Sequence, residues 1–258
     1  MNAIPDAERN EIRTIETLAM RAWPAEESVT LSGWRLRFTQ GITRRANSVW
    51  PNALSLSTGN VAEIGALLDA VETHYAARNL PARYQICPAA LPVDLDRRLA
   101  ARGYAAVAPT RVQTVDLRIM IDRTASALPD AGRQVRIKPA WSVPWFGAYR
   151  VAEGFGDHEA NMRRAILGRI RAPTAYAQLL YGNTPVAIGL GVVEDGYLGI
   201  FSMATFPAYR RQGAATMFLH ALGCWARERG ASNAYLQVMV QNKPAQALYA
   251  RAGFVTLY

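Results

Sequence analysis

The chain is poor in the residues that staple small folds or bind metals. Its 258 residues include two cysteines, Cys87 and Cys224, and three histidines, His74, His158 and His220. The cysteines fall in apparent elements of different halves, Cys87 in a strand and Cys224 in a helix, which suits buried, reduced thiols rather than a disulfide. No His or Cys spacing matches a ligand set, so no metal site is expected. No apolar run has the length of a membrane span. The opening residues Met1 to Arg9 are polar, without the apolar stretch of a leader peptide, which predicts a cytoplasmic address. The Gly-x-Gly-x-x-Gly fingerprint is missing, and no acidic residue stands where a ribose contact would be needed, which disfavours a dinucleotide fold.

What the chain has in excess is positive charge. Twenty-nine Lys and Arg against 20 Asp and Glu leave a net +9, with a pI near 9.9 and a mean hydropathy of -0.03. Half the residues are apolar, so a core of one large or two small domains can be buried. The charge favours a polyanionic ligand, which a nucleotide-bearing cofactor and a nucleic acid satisfy equally.

Periodicity then divides the chain. Ile12, Ile15, Leu18, Ala19 and Ala22 recur at helical spacing up to Trp23-Pro24. Strand-like runs cover Val29 to Phe38 and Ala46 to Leu54, a helix covers Asn60 to Arg78, a strand Ala82 to Cys87, a short helix Val93 to Ala101, and a closing strand Arg111 to Leu117. Asp122 to Gly132 has the composition of a linker. Beyond it come a strand at Val135 to Ile137, helices at Val143 to Ala152 and Glu159 to Arg171, and three strands, Ala175 to Tyr181, Val186 to Val193 and Tyr197 to Thr205, joined by turns at Gly182-Asn183 and Glu194-Asp195-Gly196. These are hairpin signals that predict antiparallel neighbours. A helix from Thr216 to Glu228 ends at Arg229-Gly230, a strand covers Ala234 to Val240, and Pro244 suits the first turn of a last helix.

The stretch Phe206 to Thr216 organises the second half, because it joins a strand to a helix through Gly213-Ala214-Ala215. Small residues leave the backbone amides uncovered at a helix start, where unpaired N–H groups and the dipole favour an anion. The spacing Arg210-x-x-Gly213-x-Ala215 resembles the Arg/Gln-x-x-Gly-x-Gly/Ala signature of the GCN5-related N-acetyltransferases (GNAT). Downstream, Asn242-x-x-Ala245-x-x-Leu248-Tyr249 followed by Gly253-Phe254 is similar to that family's ending. The resemblance implies that Arg210, Arg211, Gln212, Gly213, Ala214 and Ala215 hold the pyrophosphate of acetyl-CoA, that Met203, Ala204 and Thr205 lie along its pantetheine arm, and that Met203 and Ala204 hold the thioester oxygen. It makes Tyr249 the acid that protonates the departing thiolate. Asn242 is either a contact to pantetheine or acceptor, or a helix cap.

The halves also repeat one another. Ala76 to Ile86 parallels Ala226 to Val238, and Leu99-Ala100-Ala101-Arg102-Gly103-Tyr104 parallels Tyr249-Ala250-Arg251-Ala252-Gly253-Phe254. The expected architecture is α+β, with two GNAT-like domains, each a mixed twisted sheet flanked by helices on both faces: a degenerate domain at 1–121, a linker at 122–132, and a donor-binding domain at 133–258; a single domain with an N-terminal extension is the other reading of the repeat. Leu56-Ser57-Thr58-Gly59-Asn60 lacks the Arg-x-x-Gly-x-Ala loop and Leu99 replaces Tyr249, so the first domain is expected to have lost the donor and to shape the acceptor cleft.

The implied reaction is direct attack by an amine, on a small molecule or peptide, upon acetyl-CoA in a ternary complex. No Asp or Glu lies between Tyr197 and Thr205 to act as base, which leaves relayed water or Glu153, Asp157 or Glu159. Two other readings stand beside it: an aminoacyl-tRNA dependent transferase, or an acetyl-CoA sensing or RNA-binding module without catalysis. Trp34-Arg35-Leu36-Arg37 and Thr43 to Trp50 fit an acidic-acceptor or RNA surface, or two strands with polar residues outward and tryptophans packed inward; the second is favoured. Nucleic acid and membrane are not expected partners.

Overall fold

A computed structural model describes residues 5–56, 61–127 and 132–258. The chain divides into two compact units, one of residues 1–107 with 158–170, the other of 108–157 with 171–258. Among the described residues no helix is long and apolar enough to cross a membrane.

The N-terminal unit begins with α1 (Asp6–Arg21), which buries Ile12, Ile15, Leu18 and Ala19 on the predicted face. The strand-like run from Val29 is two strands, β1 (Glu27–Leu31) and β2 (Trp34–Phe38). Ser32 and Gly33 both have positive φ, 48° and 90°, the backbone of a tight hairpin whose twist suits its strands. β3 is only Val49–Trp50 and pairs antiparallel with β2. Helices α2 (Val61–Ala76) and α3 (Leu95–Ala101) follow. The expected strand at Ala82 to Cys87 reduces to one parallel bridge, Val49 to Tyr84. The sheet proper, β1-β2-β3, is therefore antiparallel rather than mixed. Ser57 to Asn60, most of the stretch expected to lack a cradle, lie outside the described residues.

The core of this unit sets Trp34, Leu36 and Val49 against Ile64, Leu68 and Leu99. Trp34 packs inward as expected and Arg35 is exposed, but Arg37 is 1% exposed, against the polar-outward reading. Its guanidinium donates to the Ser48 carbonyl (3.1 Å), Ser48 Oγ (2.7 Å) and Gln85 Oε1 (2.8 Å). The Gln85 amide in turn donates to the carboxylate of buried Glu16, which also accepts from Trp50 Nε1. Desolvation pulls the Arg37 pKa down to about 10, with Glu16 opposing it. A buried charge persists only when matched in this way.

The C-terminal unit is built on a seven-stranded sheet of order β10-β4-β9-β8-β7-β6-β5. In chain order its parts are β4 (Thr110–Asp116), α4 (Leu117–Thr124), β5 (Arg133–Lys138), α5 (Val143–Glu153), α6 (Asp157–Gly168), β6 (Thr174–Tyr181), β7 (Thr184–Glu194), β8 (Tyr197–Thr205), α7 (Ala214–Arg227), β9 (Asn233–Met239), α8 (Lys243–Arg251) and β10 (Val255–Thr256). Helix α6 after Asp157 belongs to the N-terminal unit.

Two expectations are corrected. The strand at Arg111 to Leu117 does not close the first domain: as β4 it pairs along its whole length with β9 and holds β10 on its other edge. Its first partners lie more than 120 positions later, as in Thr110 opposite Met239. The linker at 122–132 starts inside α4, whose Met120 and Ile121 pack on α7 where Gly223 leaves room; residues 128–131 of it lie outside the described set. Of the two cysteines, Cys87 is buried as expected and Cys224 only half-buried; both are free.

Candidate active site

β8 and β9 are the one parallel pair in the large sheet, and their ladder runs only from Tyr197 opposite Asn233 to Ile200 opposite Leu236. Beyond it the strands part. A bulge accounts for the departure: on β7, Ile188 faces Ala204 and Leu190 faces Phe201, so Ser202 and Met203 stand opposite Gly189 alone. Ser202 has φ 47°, and such a bulge bends its strand away from a straight neighbour. Met203, Ala204 and Thr205 thus lie, half-buried, on a strand whose β9-facing edge has no partner strand. Both strands run on into helices at this end, β8 into α7 and β9 into α8. A crevice at the carboxyl ends of parallel strands is where open α/β sheets bind ligands.

The loop between β8 and α7 turns through a short 3-10 segment, Pro207–Tyr209, then through Arg211 (φ 62°) and Gly213 (φ 82°). Gly213 is the N-cap of α7, and a Cβ added to it would meet nothing within 4 Å. Glycine is needed there for its backbone, and the space above it is open. The first α7 amide with an acceptor is that of Met217, bonded to the Gly213 carbonyl at 3.0 Å. Among the described residues the amides of Gly213, Ala214, Ala215 and Thr216 have none. Four unpaired donors at the positive end of a helix are suited to an anion.

Side chains brace this loop from within. Arg210 Nε donates to the Thr205 carbonyl (3.1 Å), and Gln212 Nε2 to the Ala208 carbonyl (3.2 Å). Sequence reasoning missed the third brace, Arg133 on β5, whose Nη1 donates to the Gln212 carbonyl at 2.7 Å. A trans peptide is planar with C=O and N–H opposed, so holding the Gln212 carbonyl toward Arg133 turns the Gly213 N–H the other way. No local signal marks this arginine, since its partner lies 79 positions along the chain. Beside the loop is a cavity of about 410 Å³, lined among others by Arg133, Tyr181, Val186, Tyr209, Gln212 and Ala214.

On the other side of the crevice, Asn242 caps α8, its Oδ1 accepting from the Ala245 amide at 3.3 Å. The cap is the role its side chain takes. Gln246 Nε2 closes the same turn by donating to the carbonyls of Met239 (3.0 Å) and Val240 (2.7 Å). Tyr249, half-buried on α8, lies edge-on to Phe254 with centroids 5.7 Å apart. Among the described residues its hydroxyl has no hydrogen-bond partner, and desolvation pushes its pKa up to about 12. The phenol is therefore protonated at neutral pH and can donate but not accept a proton.

The candidate bases are not brought together. Asp157 pairs with Arg150 at 2.6 Å. Glu159 pairs with Arg163 at 2.6 Å and belongs to the N-terminal unit. Glu153 is exposed.

Comparison with known proteins agrees over nearly the whole chain. Residues 9–258 match the family model described as "Probable histone acetyltransferase Rv0428c C-terminal". The chain is 30% identical over 249 residues to "Uncharacterized N-acetyltransferase YobR" of Bacillus subtilis, covering 95% of each. It is 26% identical over 234 residues to "Probable histone acetyltransferase Rv0428c" of Mycobacterium tuberculosis, covering 88% of this chain and 66% of that one. Among solved structures, a GCN5-related N-acetyltransferase from Kribbella flavida superposes with TM-score 0.68 at 17% identity, over 95% of this chain and 91% of that one. A tandem GNAT protein from the clavulanic acid biosynthesis pathway gives TM-score 0.62 at 14% identity, over 94% and 84%.

Proposed function

The chain belongs to the GCN5-related N-acetyltransferases and is an acyltransferase, and from that premise we propose that it moves an acetyl group from acetyl-CoA to a primary amine by direct attack in a ternary complex. The observation that carries the donor assignment is the row of four unpaired amides, Gly213 to Thr216, placed where β8 leaves its parallel neighbour. These amides would take the diphosphate. The pantetheine arm would run along the free edge of β8 past Thr205, Ala204 and Met203, and the main-chain donor of Met203 would hold the thioester oxygen as charge develops on it, while the Ala204 amide, expected to share that role, is in the bonded register with Ile188 of β7 and faces the other way.

In the reaction the amine nitrogen forms its bond to the carbonyl carbon and the C–S bond breaks. Tyr249 would give its proton to the leaving thiolate and recover one from solvent. A phenol is a weaker acid than a thiol in water, and burial raises this one further, so its help is greatest where the thiolate is itself poorly solvated. The attacking nitrogen would lose its proton to water, because no carboxylate lies on β8 and both Asp157 and Glu159 are engaged by arginines. The mycobacterial relative's name, probable histone acetyltransferase, adds a protein amine to the acceptors to be tried.

We further read the N-terminal unit as a copy of the fold that has lost the donor, since α2, the lone parallel bridge at Tyr84 and α3 follow in the order of α7, β9 and α8, while Leu99 stands in place of Tyr249.

Acetyl-CoA should raise the melting temperature, by mass action on the folded state. Gly213→Glu, which sets a bulky carboxylate beside the diphosphate, should abolish the shift. No shift in the unaltered protein at millimolar acetyl-CoA would overturn the proposal, and tRNA retention that falls steeply with salt, without any CoA effect, would replace it with a tRNA-dependent transferase.

A further inference from the structure

Beyond acetyl transfer, we propose that Cys224, paired with His220 on α7, is a second reactive site, at which the chain exchanges its thiol with a small-molecule disulfide. The two residues stand four positions apart and so share one face of the helix. Cys224 Sγ lies 3.7 Å from His220 Nε2, and both side chains are half-buried, open in part to solvent. The other ring nitrogen decides what this one can do. Nδ1 is 3.3 Å from the Ile121 carbonyl oxygen and 3.4 Å from Thr124 Oγ1. A carbonyl only accepts, and the hydroxyl of fully buried Thr124 donates its own proton to the Met120 carbonyl at 2.6 Å, so both neighbours of Nδ1 require it to carry the hydrogen. The neutral ring then has its lone pair on Nε2, turned to the thiol.

The chain supplies its own reference. Cys87 Sγ donates to Asn52 Oδ1 at 3.3 Å, an amide that is no base, and desolvation pushes the Cys87 pKa up to about 12. That thiol stays neutral. At Cys224 the proton passes to Nε2, leaving the nucleophilic thiolate, and the imidazolium keeps its Nδ1 bond to the Ile121 carbonyl. The α7 dipole, negative at this end, opposes the thiolate and favours the ring, while exposed Arg227 and Glu228 on the next turn carry opposite charges. These fields offset one another, so the contact of ring and sulfur governs. In the exchange the Cys224 sulfur attacks one sulfur of the disulfide, a new S–S bond forms as the old one breaks, and the departing half takes the proton from Nε2. Cys224 is oxidised and that half is reduced, with no other reactant.

The test follows the coloured thiolate released from dithiobis(nitrobenzoate) at neutral pH, with the adduct located by peptide mass spectrometry. The first adduct should form on Cys224, persist in Cys87→Ala and vanish in Cys224→Ser. His220→Asn keeps a donor for the Ile121 carbonyl and His220→Phe keeps the bulk of the ring. Neither has a basic nitrogen for the sulfur, so both should react about fivefold more slowly than the unaltered protein. In denaturant, where the fold no longer sets ring beside sulfur, the three rates should converge. A first adduct on Cys87, a rate unchanged in either folded His220 variant, or rates that stay apart in denaturant overturns the proposal.

Discussion

Val49 and Tyr84 in the N-terminal unit, and β8 and β9 in the C-terminal unit, are the same arrangement brought to opposite ends. Each is a parallel pairing reached across an intervening helix, and each is followed by a helix closing on a glycine with positive φ, Gly103 at 84° and Gly253 at 98°. In the first, protein groups close the space past the pairing. The Leu91 amide bonds the Pro51 carbonyl at 2.7 Å, Cys87 Sγ donates to Asn52 Oδ1 at 3.3 Å, and Trp34 Nε1 donates to the Leu91 carbonyl at 3.0 Å. Desolvation raises the Cys87 pKa to about 12, so the thiol packs as a neutral group. In the second, the β8–β9 ladder stops at Ile200 opposite Leu236, and among the described residues no turn or loop hydrogen bond joins 201–206 to 237–242. A parallel pairing followed by a helix can thus have the space beyond it closed by protein groups, as at Val49 and Tyr84, or leave backbone donors without a protein partner, as past Ile200.

The sharpest way to break the comparison is at the closed edge. Arg37→Met removes a buried guanidinium and strips its hydrogen bonds from Ser48 and Gln85, which should cost about 1–3 kcal/mol for each buried acceptor left unsatisfied, read as a lowered denaturant midpoint. If the units differ as described, protein that remains folded should bind acetyl-CoA with unchanged affinity, and a lost affinity would show that the first unit takes part in holding the donor.

At the open edge, Tyr249→Phe should lower kcat by roughly 10²–10⁴-fold with little change in KM for the donor. Because burial holds this phenol near 12, the acid form persists through neutral and mildly alkaline pH and is lost only as pH rises toward that value. The kcat profile of the unaltered enzyme should therefore show no alkaline limb from this residue below about pH 10. A limb near 10 that vanishes in the Phe variant would mean the phenol is far better solvated than its half-buried position indicates.

The smallest expected effect sharpens the account of the loop. Arg133→Ala frees the Gln212 carbonyl and should raise KM for the donor by about tenfold, the scale of one charged hydrogen bond, while leaving kcat within about twofold. A fall in kcat with KM unchanged would show that Arg133 acts on the chemistry and not on the diphosphate amides.

Much of this was legible in the chain. The helical spacing of Ile12, Ile15 and Leu18, the turns at Gly182 and Gly196, the glycine at 213 and the cap-forming Asn242 each act within a few residues, where side-chain period and backbone freedom decide local structure. The hairpin at Ser32–Gly33 was local too, but Ser-Gly is a weaker turn signal than Asn-Gly, so the run from Val29 read as one strand. Arg37 could not be read as buried, because alternation along β2 puts a polar residue outward by default, and its partners Ser48 and Gln85 are 11 and 48 positions away.

The amino-acid sequence by itself determined the order of helices and strands and the small-residue turn that uncovers a helix start, since those depend on neighbours along the chain. Only the tertiary structure decided that β4 serves the second sheet rather than the first, that β8 leaves β9 after Ile200, and that Arg133 turns the peptide before Gly213. Each of these is a pairing between segments far apart in sequence, and no local period records which distant edge or carbonyl a residue will meet.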